Sequence, residues 1–320
     1  MKKILLTGVA GFIGSNLLNK LLSGENFIVG IDNFDNFYSE DIKRRNIQDN
    51  LNNINFNFLK GDITDEKFLK SLDNDFDIII HLAAKAGVRP SIDNPVGYQN
   101  TNVNGTLSLL EFARKTKVKK FVFASSSSVY GVNQNLPWCE DENLLPISPY
   151  ASTKLSCENI GHVYSSLFDM QFIALRFFTV YGPGQRPDLA IHKFFKLILE
   201  NQAISVYGDG KTFRDYTYVD DICDGIISSL DYNELKFDIF NLGNNEKISL
   251  VDLINKISNI TNKEVKINFL AEQQGDVPYT FADISKAKYH LNYSPKTSID
   301  EGLLNFYSWI RNIYNLNEKI

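Results

Sequence analysis

The chain has 320 residues, room for two modest domains, and its 43% hydrophobic and 22% charged residues are ordinary for a globular protein. A formal net charge of -5 excludes the basic surface of a nucleic-acid-binding protein, and the short cluster Lys43, Arg44, Arg45 reads as a solvated helix face. No apolar run approaches the length of a membrane span, so no membrane partner is expected. The apolar stretch after Lys2 and Lys3 runs at once into glycines, which argues against a signal peptide.

Three cysteines (Cys139, Cys157, Cys223) without a CxxC fit a reducing, cytoplasmic setting. Four scattered histidines (His81, His162, His192, His290) lack metal-ligand spacing, so no metal is expected.

In chain order, KKILLT is a buried strand, followed by a helix over about 12–22. FIVGID, INFNFLKGD, FDIIIHLAA, VKKFVFASS and MQFIALRFF are the next five strands, with helices over 102–116 and 151–167 among the segments between them. Continuous apolar strands alternating with helices predict a parallel sheet covered on both faces. The pattern loosens after Thr179 into the turn-rich YGPGQRPDL and YGDGKTF. A helix (YVDDICDGIISSL), a strand (FDIFNLG), a helix (SLVDLINKISNIT) and a last helix over 302–314 follow. The expected fold is α/β: a doubly wound parallel-sheet domain over 1–178 that also receives 219–246, with a smaller mixed α/β lobe from 179–218 and 247–320.

TGVAGFIG (7–14) follows the first strand and opens the first helix. Gly8, Gly11 and Gly14 let backbone approach a pyrophosphate, and the helix N-terminus, through Phe12 and Ile13, aims free N–H groups at it. The spacing G-x-x-G-x-x-G departs by one residue from the generic dinucleotide fingerprint. Asp32 closes the second strand, where a carboxylate can bond both ribose hydroxyls and repel a 2′-phosphate, favouring NAD over NADP. Asp62, in GDI (61–63) with Ile63, is read either as an adenine contact or as the N-cap of the next helix.

Tyr150 and Lys154 lie four apart at the start of a helix, on one face. A nearby ammonium and a cationic nicotinamide would favour the phenolate, giving a base near neutrality. Ser126 lies in the row of four serines ending the fifth strand, at the sheet edge where doubly wound folds bind ligands. Its hydroxyl can bridge a substrate oxygen and the Tyr150 phenol.

These motifs, in this order with HLAA (81–84), FRDYTYVDD and GDVPYTFADISKA, resemble the extended short-chain dehydrogenase/reductase family over essentially the whole chain. Within it the chain is most similar to the NAD-dependent sugar-nucleotide 4-epimerases. The resemblance implies a Rossmann domain holding NAD through Gly8, Gly11, Phe12, Ile13, Gly14, Asp32, Asp62, Ile63, Ala83, Ala84, Tyr150 and Lys154. It implies Ser126, Tyr150 and Lys154 as the catalytic triad, and Arg214 and Asp276 as contacts of the nucleotide diphosphate and ribose. Gln273 stands where an arginine is usual, which puts one such contact in doubt. Ser127 and Ser128 replace the Asp–Glu pair of the family's dehydratases, so dehydration lacks its acid and base.

Thr179, where hexose epimerases usually carry Asn, resembles the UDP-glucuronate 4-epimerases. A uronate carboxylate would meet hydroxyls from Ser126, Ser127 and Thr179 and a cation such as Arg89 or Arg186, each arginine being equally readable as a diphosphate or surface contact. The implied reaction is C4 epimerisation of a UDP-sugar through a 4-keto intermediate, with a neutral-sugar epimerase (UDP-glucose or UDP-N-acetylglucosamine) as the alternative. A homodimer packed through helices 104–116 and 151–167 is also implied.

Overall fold

The computed structural model describes residues 1–271, 277 and 279–314. Its strands are β1 (Lys2–Thr7), β2 (Asn26–Asp32), β3 (Phe56–Lys60), β4 (Ile78–His81), β5 (Lys120–Ser126), β6 (Gln171–Phe177), β7 (Thr179–Tyr181), β8 (Ile204–Tyr207), β9 (Phe213–Arg214), β10 (Tyr216–Tyr218), β11 (Phe237–Leu242), β12 (Ile248–Ser249) and β13 (Ile267–Leu270). The helices are α1 (Phe12–Leu22), α2 (Glu40–Gln48), α3 (Glu66–Lys70), α4 (Val88–Asp93), α5 (Pro95–Tyr98), α6 (Gly105–Thr116), α7 (Pro149–Leu167), α8 (Ala190–Leu199), α9 (Val219–Ser229), α10 (Leu250–Thr261), α11 (Ser285–Leu291) and α12 (Ile299–Ile313). None is long and apolar enough to cross a membrane.

Seven strands form one parallel sheet in the order β11-β6-β5-β4-β1-β2-β3. Strands β3 to β6 follow the doubly wound order, with the direction of winding reversing between β1 and β4, where such sheets open a ligand crevice. Alternation sends Ile4 and Leu6 of β1 to one face and Leu5 to the other, so each face has its own buried cluster. Helices α1 and α9 cover the first face, and α6 and α7 the second. A third cluster joins β7, β10, α8, α10 and α12. Three two-stranded ladders complete that part: β10–β7, β12–β9 and β13–β8.

Several details differ from the sequence reading. Segment 284–293, expected in the smaller lobe, buries Ile284, Ala287, Leu291 and Tyr293 against the sheet-side cluster. The helix expected over 102–116 is entered through a wide, π-type turn, Gln99–Asn104. The last helix starts three residues early because Ser298 caps it through the Glu301 N–H. Lys43 is not solvated: it is 5% exposed, donates to the Asp35 carbonyl and lies over the Tyr38 ring.

Helix α7 lies close on β6 because Gly161 faces Phe172; a Cβ there would sit 2.3 Å from the ring. Gly161→Ala sets a helix-propensity gain of about 1 kcal/mol against an overpacking cost of about 1–3 kcal/mol. A net loss is expected, read as a lower urea midpoint at unchanged slope.

Candidate active site

The crevice at the carboxyl edge of the sheet is a cavity of about 510 Å³. Its floor is the β1–α1 turn. Gly8 has φ +72°, and a Cβ on it would sit 2.7 Å from the Ala83 nitrogen, so glycine lets β1 and β4 close on one another. A Cβ on Gly14 would come within 2.1 Å of the Gly8 carbonyl oxygen. Gly11 caps α1 without a side-chain hydrogen bond, leaving the first-turn N–H groups for an anion.

Asp32 holds this floor in place. One carboxylate oxygen accepts from the Ala10 N–H at 3.1 Å, the other from the Phe34 N–H at 2.8 Å. Each oxygen keeps a second lone pair for a ligand hydroxyl. Burial lifts this carboxyl above its ordinary value, with the Phe34 hydrogen bond, Lys43 and the Ala10 hydrogen bond opposing. Asp62 accepts from Thr64 N and Oγ1 at 2.8 and 2.7 Å and from Asn33 Nδ2 at 2.8 Å. The cap of α3 is Asp65, not Asp62, so the helix-cap alternative for Asp62 falls. These residues fit a dinucleotide: open N–H groups for its phosphates and a carboxylate at each ribose-side strand end.

The other end holds the serine row. Ala124, Ser125 and Ser126 are the last residues of β5, and Ser127 and Ser128 open the turn after it. The Tyr150 phenol and the Ser126 hydroxyl line the same cavity, and Ser126 Oγ lies 3.1 Å from Ser128 Oγ and accepts from the Ser128 N–H at 3.2 Å. Ser148 caps α7 through the Ala151 N–H at 3.1 Å and Pro149 opens its first turn, which fixes where Tyr150 emerges. Tyr98 packs edge-on to Tyr150 at 6.3 Å and donates to the Ala86 carbonyl at 2.9 Å.

Lys154 is 4% exposed and donates to the Ala124 carbonyl at 2.6 Å. Burial lowers its ammonium to about 8, Cys157 and Glu158 acting the other way. Burial raises the Tyr150 phenol above its ordinary value; the Ser126 hydrogen bond and Arg186 pull it down. Burial is the largest influence on the Tyr150 phenol, while the Lys154 ammonium turns to a backbone carbonyl. His81 bridges Thr7 Oγ1 and Thr106 Oγ1 at 2.7 and 3.0 Å, and burial followed by Lys154 drives it down to about 3, leaving a neutral structural imidazole.

The structure brings Gly8, Gly11, Phe12, Ile13, Gly14, Asp32, Asp62, Ile63, Ala83, Ala84, Ser126, Ser127, Ser128, Tyr150, Lys154, Thr179 and Arg186 around one cavity. Arg186 pairs with Asp188 at 2.9 Å and lies over Phe37. Arg89 and Arg214 do not line it: Arg89 lies over the Tyr207 ring at 5.4 Å, and Arg214 donates to the Phe213 carbonyl at 3.0 Å. Asp276 and Gln273 lie outside the described residues.

Sequence reasoning missed the Lys85–Asp35 ion pair, 2.7 Å, between the turns after β4 and β2. Burial pushes the Asp35 carboxyl up, but Lys85 outweighs it and the net value is low. It also missed Asn102 in the wide turn, which accepts from Lys85 N at 2.8 Å and donates to Thr153 Oγ1 at 3.0 Å. The one signal for either was polar residues amid apolar segments, which names no partner.

A family model described as GDP-mannose 4,6 dehydratase matches residues 5–306. The chain is 41% identical over 320 residues to UDP-glucuronate 4-epimerase of Thermodesulfobacterium geofontis, covering 99% of this chain and 98% of that one. UDP-glucuronic acid 4-epimerase of Bacillus cereus, solved with UDP-glucuronic acid and NAD, matches at TM-score 0.91 and 40% identity over 98% of this chain and 100% of its own. UDP-glucose 4-epimerase of Thermotoga maritima, solved with UDP-glucose, matches at TM-score 0.90 and 31% identity over 98% and 99%. With the glycine turn, the sheet order and the Ser126–Tyr150–Lys154 cluster in one crevice, these matches establish that the chain belongs to the GDP-mannose 4,6-dehydratase family of extended short-chain dehydrogenases/reductases.

Proposed function

We propose that the chain is an NAD-dependent UDP-glucuronate 4-epimerase. The observation that carries this reading is a Tyr150–Lys154 pair that shares one cavity with the hydroxyls of Ser126, Ser127, Ser128 and Thr179, Ser127 and Ser128 standing where the resemblance puts the dehydratases' Asp–Glu pair. Without an acid–base pair on that wall, elimination of water lacks its catalyst, and reduction at C4 is the productive exit from the 4-keto sugar.

NAD+ held in the cleft accepts a hydride from C4, returns it to the opposite face, and adds positive charge beside the phenol. Tyr150 takes the C4 hydroxyl proton, with Ser126 bridging, and gives it back after the sugar turns about its diphosphate. Lys154, charged below about pH 8, favours the phenolate form during that exchange. The 4-keto uronate is a β-keto acid that loses CO2 if its C5–carboxyl bond stands perpendicular to the carbonyl plane. Hydroxyls from Ser127, Ser128 and Thr179, with Arg186, hold the carboxylate near that plane by charge-assisted hydrogen bonds. Arg214 of segment 179–218 and Asp276 of segment 247–320, with Arg89 of α4, serve the nucleotide diphosphate and ribose.

The protein acts as a homodimer in this proposal. Leu107 of α6 and Val163 and Leu167 of α7 are 38%, 49% and 68% exposed, apolar surface that a second copy would bury. Three unbonded thiols support a cytoplasmic setting.

Incubation with UDP-glucuronate and NAD+ is expected to give a mixture of UDP-glucuronate and UDP-galacturonate with no pentose. Turnover of UDP-glucose or UDP-N-acetylglucosamine alone would replace this reading with the neutral-sugar one. Ser127→Ala is expected to slow epimerisation about 10- to 150-fold, the worth of one charge-assisted hydrogen bond, and to release a UDP-pentose. Unchanged kinetics with no pentose would remove Ser127 from the carboxylate site. The rate should fall as pH rises through about 8, because Lys154 loses its charge there. A flat profile from pH 7 to 10 would contradict that assignment.

A further inference from the structure

Three consecutive residues at the end of β5 face α7. The Ala124 carbonyl accepts from Lys154, Ser125 Oγ donates to Glu158, and Ser126 shares the cavity wall with Tyr150. On the helix the partners are 150, 154 and 158, one per turn along a single face. Two of these pairings involve residues of the proposed reaction. The third has no such role, yet it is the most deeply buried of the three: Glu158 is 2% exposed. Its carboxylate also meets Arg176 in a two-pronged ion pair, Nε to Oε1 at 3.0 Å and Nη2 to Oε2 at 2.8 Å. Arg176 stands opposite Ser125 in the β5–β6 register.

We propose that Glu158 is a positioning residue for the reaction: one carboxylate, bound to Ser125 on β5 and Arg176 on β6, sets the placement of Ser126 relative to Tyr150 and Lys154. Helix α7 cannot slide or turn along β5 without breaking this tie, so the phenol and the ammonium are held to the strand end by a bond that neither of them makes. Misplacement at a reacting centre is costly in rate even where binding survives. The same carboxylate supplies negative charge near Lys154. The other titratable groups that act with that ammonium are Cys157 on α7 and neutral His81 on β4, while β5 brings the Phe123 ring and the Ala124 carbonyl to it. Arg176 on β6 reaches this neighbourhood through Glu158.

Two variants separate positioning from mere stability. Ser125→Ala deletes the strand tie and leaves the ion pair; Glu158→Gln keeps the shape and deletes the charge. For Ser125→Ala we expect kcat on UDP-glucuronate to drop about tenfold with KM within about twofold, and NAD+ affinity without sugar to weaken several-fold, at a near-wild-type melting temperature. For Glu158→Gln we expect the alkaline limb of the rate profile to move to lower pH, because the lysine loses the carboxylate that favours its charge. A folded Ser125→Ala with wild-type kcat and NAD+ affinity would overturn the proposal, as would a folded Glu158→Gln with an unmoved limb. If Glu158→Gln does not fold, Ser125→Ala decides alone. The turnover readouts rest on the epimerase reading; NAD+ affinity does not. A wild-type protein that binds NAD+ but leaves UDP-glucuronate unchanged would sink that reading, while the affinity of Ser125→Ala would still decide the positioning role.

Discussion

The Arg176–Glu158 ion pair is sealed where β5, β6 and α7 meet, with its two side chains 1% and 2% exposed. Charges so deep are tolerated only when every donor and acceptor is used, and here they are nearly all engaged. Arg176 Nη1 donates to the Tyr130 hydroxyl at 2.9 Å and the Glu140 carbonyl at 3.1 Å. Tyr130 passes its own proton to Asn241 Oδ1 at 2.7 Å, and the Asn241 side chain donates to the carbonyls of Trp138 and Asp283. Removing one partner of such a pair costs about 3–5 kcal/mol, since the survivor stays buried and unpaired. The serine row thus divides its labour: all four line the cavity, but the Ser125 hydroxyl bonds into this network while those of Ser126 and Ser128 bond to one another.

The cavity in front of that network is built on opposite terms. Its dinucleotide end uses backbone N–H groups and carboxylates held by backbone, which bind without moving. Its other end carries hydroxyls, which in the proposed reaction accept or donate as the proton moves and so serve both an alcohol and a ketone at C4. A wall of hydroxyls is also neutral, so a substrate carboxylate is not repelled and no second acid stands ready to expel water.

Much of this was legible in the sequence because it is local. The first helix was read as 12–22 and is Phe12–Leu22; glycine spacing placed the phosphate turn, and the four-residue interval of Tyr150 and Lys154 put both on one face. What failed was non-local. Hydrophobic periodicity reports that a residue is buried, not against what, so Ile284 and Leu291 were placed with the wrong core. Lys43 looked solvated because a charge cluster says nothing of a carbonyl eight residues upstream. Asp62 and Asp65 are both plausible caps by residue type, and only backbone geometry separates them. The Lys85–Asp35 pair joins residues fifty apart, brought together by the sheet order.

The sheet order has a temporal side as well. β11 is the neighbour of β6, yet residues 178–236 intervene between them, and Asn241 on β11 is the acceptor of the Tyr130 hydroxyl. A ribosome that has released only the first two-thirds of this sequence has made every cavity residue through Arg186 but not the strand that closes the sheet behind them. Trp138 waits longer still, since it exchanges backbone hydrogen bonds with Phe281 and Asp283. Closing such distant pairs comes late and slowly in folding. The nascent chain therefore carries the chemistry of the crevice well before it carries its rigidity, and a dinucleotide met during synthesis would find its binding turn complete and its catalytic wall still loose.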